Sequence, residues 1–147
     1  METEIKITEP DYIRLNRLVG TSRNEKNIEL KNLDTLAGEI GRAEKVDSKK
    51  IAPEFVTMNS VVQVMNESTK KLMTIRIVYP EDVDFKRRYV SVVSPLGSAL
   101  LGHKVGDTIQ YVAPEGIVTI RIQQIYYQPE ANGKYLVRLL VINVKNI

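Results

Sequence analysis

Ser94-Pro95-Leu96-Gly97-Ser98-Ala99-Leu100-Leu101-Gly102-His103-Lys104-Val105-Gly106-Asp107 sets three glycines and a proline around a short apolar run. β-Rich stretches flank it, at residues 89–93 and 108–112. This order predicts a strand, a sharp turn, one or two helical turns, a second sharp turn and another strand. Glycine serves where the backbone takes positive φ or where another backbone passes close. The segment therefore implies a small, tightly wound α+β domain whose short helix covers a sheet. It carries almost no catalytic chemistry.

Working outward, the N-terminal third has a helical period. Thr8 is placed to cap a helix, with Glu9 and Pro10 in its first turn and Asp11 three residues after the cap. Tyr12, Leu15, Leu18 and Val19 recur at helical spacing, and Gly20 reads as the stop. Residues 21–26 form a polar turn. A second helix is expected over about 27–45, with Leu30, Leu33, Ala37 and Ile40 as its stripe and Leu36 and Ala43 beside it. The pair makes a short antiparallel coiled coil roughly 27 Å long. It either packs on the rest of the chain or protrudes as an arm, and the sequence leaves both open. The polar, proline-ended stretch 47–53 marks a boundary, giving a helical hairpin over 1–50 and a C-terminal domain over 54–147.

Beyond that boundary the period is that of strands. They are expected at 56–65, 72–79, 89–93, 108–112, 117–126 and, after Asn132-Gly133, at 135–144. Turns fall at 66–70, at Pro80-Glu81-Asp82 and at 113–116. Antiparallel strands with one short helix on a face make an α+β domain.

Chain length, 147 residues, suits one ordinary domain or one with a small appendage. The chain has no cysteine, which excludes disulfides, thiolate metal sites and cysteine nucleophiles. No run approaches a membrane span and no secretory leader is visible at the start, so the cytoplasm is expected and a membrane partner is not. The net charge of +3 is mild. Its excess sits in Lys70-Lys71 and Lys86-Arg87-Arg88, read as solvated hairpin tips. They lack the interleaved aromatics of a nucleic-acid platform, so direct contact with nucleic acid is secondary at most.

Candidate chemistry is sparse. His103, the single histidine, reads as a solvated turn residue with no metal shell around it. Gly97 to Gly102 does not match a phosphate-binding loop. Glu81, Asp82 and Asp84 beside Lys86-Arg87-Arg88 look like a salt-bridged loop, and Asp107 like a turn-closing side chain. Ser60, Ser91, Ser94 and Ser98 fall in no nucleophile pattern. No catalytic residue, metal ligand or cofactor is expected.

Three stretches together resemble the family of Gre transcript-cleavage factors, in particular its short Rnk-type branch. They are Val56-Thr57-Met58-Asn59-Ser60, the Ser94–Asp107 segment and Ile125-Tyr126-Tyr127-Gln128-Pro129-Glu130. The resemblance implies an FKBP-like C-terminal domain and an N-terminal antiparallel coiled coil. It also implies docking on bacterial RNA polymerase at the rim of the secondary channel, with Ser94, Pro95, Leu96, Gly97 and Ser98 on or near the docking surface. In cleavage-competent members, acidic residues at the coiled-coil tip help hold a metal ion. Here residues 21–26 hold one acid, Glu25, between Arg23 and Lys26. A divalent ion shared with substrate needs more than one carboxylate, and nearby cations repel it.

The expected function is therefore that of a non-catalytic, monomeric transcription regulator that binds RNA polymerase and competes with Gre cleavage factors. Two other readings remain: an adaptor using the arm or an exposed strand edge, and a peptidyl-prolyl isomerase. The latter rests on fold analogy alone.

Overall fold

The structure, a computed structural model, describes residues 4–26 and 28–134. Its elements run β1 (Lys6–Thr8), α1 (Glu9–Ser22), α2 (Leu30–Arg42), β2 (Glu44–Val46), β3 (Val61–Asn66), β4 (Leu72–Val78), β5 (Tyr89–Ser91), α3 (Pro95–Leu100), β6 (Thr108–Ala113) and β7 (Gly116–Tyr127). Single 3-10 turns follow β4, at Pro80–Asp82, and β7, at Glu130–Asn132. The α+β class is as expected. The strand proposed at 135–144 lies outside the described residues.

The helical hairpin forms for the local reasons its sequence suggests. Thr8 stands in extended conformation and its hydroxyl accepts from Asp11 N at 3.2 Å, while Pro10 occupies the first turn. Gly20 does not end α1. A Cβ there would meet open space, and the chain continues helically to a cap at Arg23. The helix α2 is shorter than its periodicity suggested. It stops at Arg42 because Ala43 turns extended and residues 44–46 enter a strand. Leu33, Leu36 and Ile40 are buried as expected, but Leu30, in the first turn, is exposed.

Strands β1 and β2 pair in parallel, Lys6 with Glu44 and Thr8 with Val46. A parallel pair needs a long crossover, and here the whole helical hairpin supplies it. The five-stranded sheet runs β5-β4-β3-β7-β6. Its pairs are antiparallel except β4 with β5, which departs from the all-antiparallel expectation. The long return through Pro80–Arg88 delivers β5 alongside β4 in the same direction. Strand β3 begins at Val61 rather than residue 56, because Thr57–Ser60 forms a turn with Asn59 at φ 68°.

One buried core joins the two segments. Leu15, Leu33, Leu36 and Ile40 from the hairpin lie in the same cluster as Met58, Val62, Ile77, Leu100, Leu101 and Ile120. Each such side chain stabilises by about 1.5–3 kcal/mol when taken out of water. The hairpin thus packs on the rest of the chain instead of standing free.

Helix α3 fits because Gly97 has no side chain. A Cβ on Gly97 would collide with the Ser91 carbonyl oxygen. Gly97→Ala is expected to cost about 1–3 kcal/mol of unfolding free energy, measured by chemical denaturation. An unchanged midpoint would contradict this packing.

Candidate docking surface

The residues Val56 to Ser60 form a polar knot. Val56 N donates to His103 O at 2.8 Å and Val56 O accepts from Gly102 N at 2.9 Å. Thr57 Oγ1 reaches the Glu130 carboxylate at 2.7 Å and Ser60 Oγ at 3.0 Å. Met58 N donates to Asp11 Oδ2 at 3.1 Å. Asp11, Thr57, Ser60 and Glu130 are all buried. The three stretches that carry the family resemblance therefore meet in space, and helix α1 ties into the same point. Gln128, also buried, adds bonds from its Nε2 to the carbonyls of Ala52 and Phe55.

From this base the chain presents α3. Ser94 caps it, accepting from Gly97 N at 3.1 Å and donating to Ser91 O at 2.6 Å. Ser98 Oγ turns back to Ser94 O at 3.0 Å. Of the five expected docking residues, Gly97 and Ser98 are buried, whereas Ser94, Pro95 and Leu96 remain partly exposed. The first two hold the turn from behind. Only the other three can touch a partner.

Beside α3 an open cleft of about 640 Å³ lies between α2, α3 and β6, walled by Asn32, Thr35, Pro95, Ala99, Tyr111 and Val112. Burial, followed by the Glu115 charge, raises the Tyr111 phenol above its ordinary value. His103 is buried and not a solvated turn residue. Its Nδ1 lies 3.3 Å from Asp107 Oδ2 and its Nε2 3.9 Å from Glu39 Oε2 of α2. The partner on α2 is far away in sequence, so inspection of the loop alone misses it. Asp107 does close its turn, accepting from Lys104 N at 3.1 Å. Arg14 of α1 stacks on the Tyr79 ring at 4.0 Å, and Lys6 N donates to Gly102 O at 3.0 Å. Polar as well as apolar contacts hold the hairpin down.

Among the described residues, no three His, Asp or Glu side chains come together in a way that could hold a metal ion. No helix among them is long and apolar enough to cross a membrane. The basic clusters stand exposed at hairpin tips, as expected. Arg87 pairs with Asp84 at 3.6 Å and Lys70 with Glu67 at 3.4 Å.

Residues 51–127 match the family described as transcription elongation factor GreA/GreB, C-terminal. The chain belongs to this family of transcription-related regulators. It is 38% identical over 104 residues to the regulator of nucleoside diphosphate kinase of Escherichia coli K12, an overlap of 70% of this chain and 76% of that one. It is also 40% identical over 75 residues to the transcription elongation factor GreA of Rhodospirillum rubrum, covering 51% of this chain and 48% of the relative. A solved GreA/GreB elongation factor from Nitrosomonas europaea superposes with a TM-score of 0.69 at 36% identity, over 86% of this chain and all of that one.

Glu39 gives a pH test of the contact between α2 and the His103 loop. Burial works to raise its pKa, yet hydrogen bonds with His103 and Arg42 outweigh burial and hold it below its ordinary 4.5. A depressed carboxylate contributes stability above its unfolded pKa and loses it as pH falls through the folded one. Wild type is thus expected to lose more stability than Glu39→Gln as pH drops below about 4.5, read by urea denaturation at each pH. Parallel pH profiles would contradict the contact.

Proposed function

We propose that this protein is a non-catalytic transcription regulator that binds bacterial RNA polymerase at the secondary channel and competes there with Gre cleavage factors. The observation that supports it best is the α3 turn, whose sequence falls within the family match. Its backbone is fixed by the Ser94 cap and the Gly97 contact, while Pro95 and Leu96 stay accessible. A rigid apolar projection loses little freedom on docking, which is how a small surface supplies affinity.

The hairpin favours occupancy over chemistry. Its base is fastened by Asp11, Arg14 and His103, and its tip carries Glu25 between Arg23 and Lys26. Arg23 folds back on Asp34 of α2 at 3.0 Å. The loop between the helices also holds Glu29, which pairs with Lys31 at 3.5 Å, so its two carboxylates stand among cations and make a poor ligand set for a divalent ion. In this reading the protein acts in the cytoplasm as a monomer, blocks the channel mouth and leaves transcript cleavage unstimulated.

Core polymerase binding by the purified chain, with a Gre factor as competitor, tests this directly. Binding at micromolar concentration and displacement by the competitor are expected; no binding would overturn the reading. Pro95→Asp and Leu96→Glu are each expected to weaken binding at least roughly tenfold, as for an interface anchor. The melting temperature of Pro95→Asp should stay within about 2 °C of wild type, since Pro95 lies outside the core cluster, whereas Leu96 packs against that cluster and its variant is expected to melt lower as well. Retained affinity would move the interface elsewhere.

A further inference from the structure

Strand β6 lies at the sheet's edge, and its one neighbour among the described residues is β7. Ile122 N donates to Asp107 O at 3.0 Å, and bonded and unbonded residues alternate along an antiparallel ladder. Ile109, Tyr111 and Ala113 therefore bond β7, while Thr108, Gln110 and Val112 point their N–H and C=O groups away from it. None of these outward groups has a hydrogen bond to another described residue. An open row of this kind is a template for one more strand.

The row also borders empty space. Gln110, Tyr111 and Val112 wall the cleft of about 640 Å³, together with Thr35 of α2 and with Pro95 and Ala99 of α3. Val112 and Ile117, paired across the ladder, are 64% and 71% exposed, and Val105, just before β6, is 39% exposed. Apolar side chains thus mark the approach to the edge and its far end.

The course of the chain after β7 points to what covers this edge. It passes over a 3-10 turn, Gly133 takes φ 72°, and Lys134 N donates to Pro129 O at 2.9 Å. Residues 135–147 therefore start beside Pro129, just past the end of β7. Fully extended they reach about 43 Å. Thr108 lies opposite Arg121, about 20 Å back along β7 from Tyr127. The remaining length of about 20 Å matches that of β6. From Tyr135 to Val144 the only polar residues are Arg138 and Asn143, a nearly continuous apolar run of the kind that parallel strands carry.

We propose that residues 135–147 lie along the free edge of β6 in the same chain, as a parallel strand that adds to the sheet and occupies the β6 side of the cleft. The direction follows from the topology, since a segment returning from the end of β7 runs as β6 does. A tethered segment meets the edge at an effective concentration of about millimolar, which a second copy at micromolar concentration does not match. The edge is then closed within one chain, and a strand-pairing surface is withdrawn from other chains.

Hydrogen exchange on the full chain tests this through the amides of Thr108, Gln110 and Val112. In wild type they are expected to exchange roughly a hundredfold more slowly than in at least one of Val141→Pro and Ile142→Pro. One of two adjacent positions faces the ladder, and proline there cannot donate to it. The amides of Ile109 and Tyr111, bonded to β7, are expected to stay slow throughout and report that the variants fold. Fast exchange of the three edge amides in wild type would overturn the proposal, and so would protection that neither variant removes. A second measurement leaves the tail sequence untouched. The chain has no cysteine, so a nitroxide on Ile117→Cys is unique and is expected to broaden the amide signals of residues 141–146 on its own chain. No such broadening would overturn the proposal. Broadening carried between chains, in a mixture of nitroxide-labelled and isotope-labelled protein, would give the strand to a second copy and overturn it too.

Discussion

The fold depends on satisfying the backbone at Val56–Met58. This stretch enters the sheet deep in the core, where an unpaired amide or carbonyl costs about 1–3 kcal/mol. Three distant segments supply its partners: Asp11 from the first helix, Gly102 and His103 from the glycine-rich segment, and Glu130, through Thr57, from beyond the last described strand. Removing Asp11 or the Gly102–His103 backbone takes a partner from the buried Val56–Met58 backbone, while Thr57 keeps its bond to Ser60 when Glu130 is removed. The sequence must therefore bring all of them together or lose the packing around them.

That constraint explains why the helical hairpin lies down. Asp11 is fully buried and bonded to Met58, and the apolar face of α2 enters the core of the sheet domain. Arg14 on Tyr79 fastens α1, and Glu39 facing His103 fastens α2. The parallel β1–β2 ladder holds both ends of the hairpin at its base. The cleft between α2, α3 and β6 follows from this seating, as does the orientation of the α3 turn toward solvent.

Much of this was legible in the residues themselves. Thr8, Ser94 and Pro95 cap and start helices where their chemistry places them, and Gly102 and Gly106 take positive φ, 84° and 95°. What escaped had non-local causes. Residues 43–46 continue a helical pattern, but pairing with β1 draws them into a strand. Val56–Ser60 reads as the start of a strand until Thr57, Ser60 and Glu130 are seen to need one another. His103 looks solvated because its Glu39 partner comes from another element, and Gly20 looks like a stop although open space around it imposes nothing. Of the α3 turn, the segment was legible but its facing was not: Gly97 and Ser98 are buried, while Ser94, Pro95 and Leu96 are partly exposed.

The central claim is that hairpin and sheet share one core rather than being joined by a hinge. Native-state hydrogen exchange tests it most directly, by comparing amides of Leu33, Leu36 and Ile40 with those of Val62, Ile77 and Ile120. One common opening free energy for both sets is the predicted result, as in a single cooperative unit. Helix amides exchanging through a separate, lower-energy opening while the sheet stays protected would contradict it.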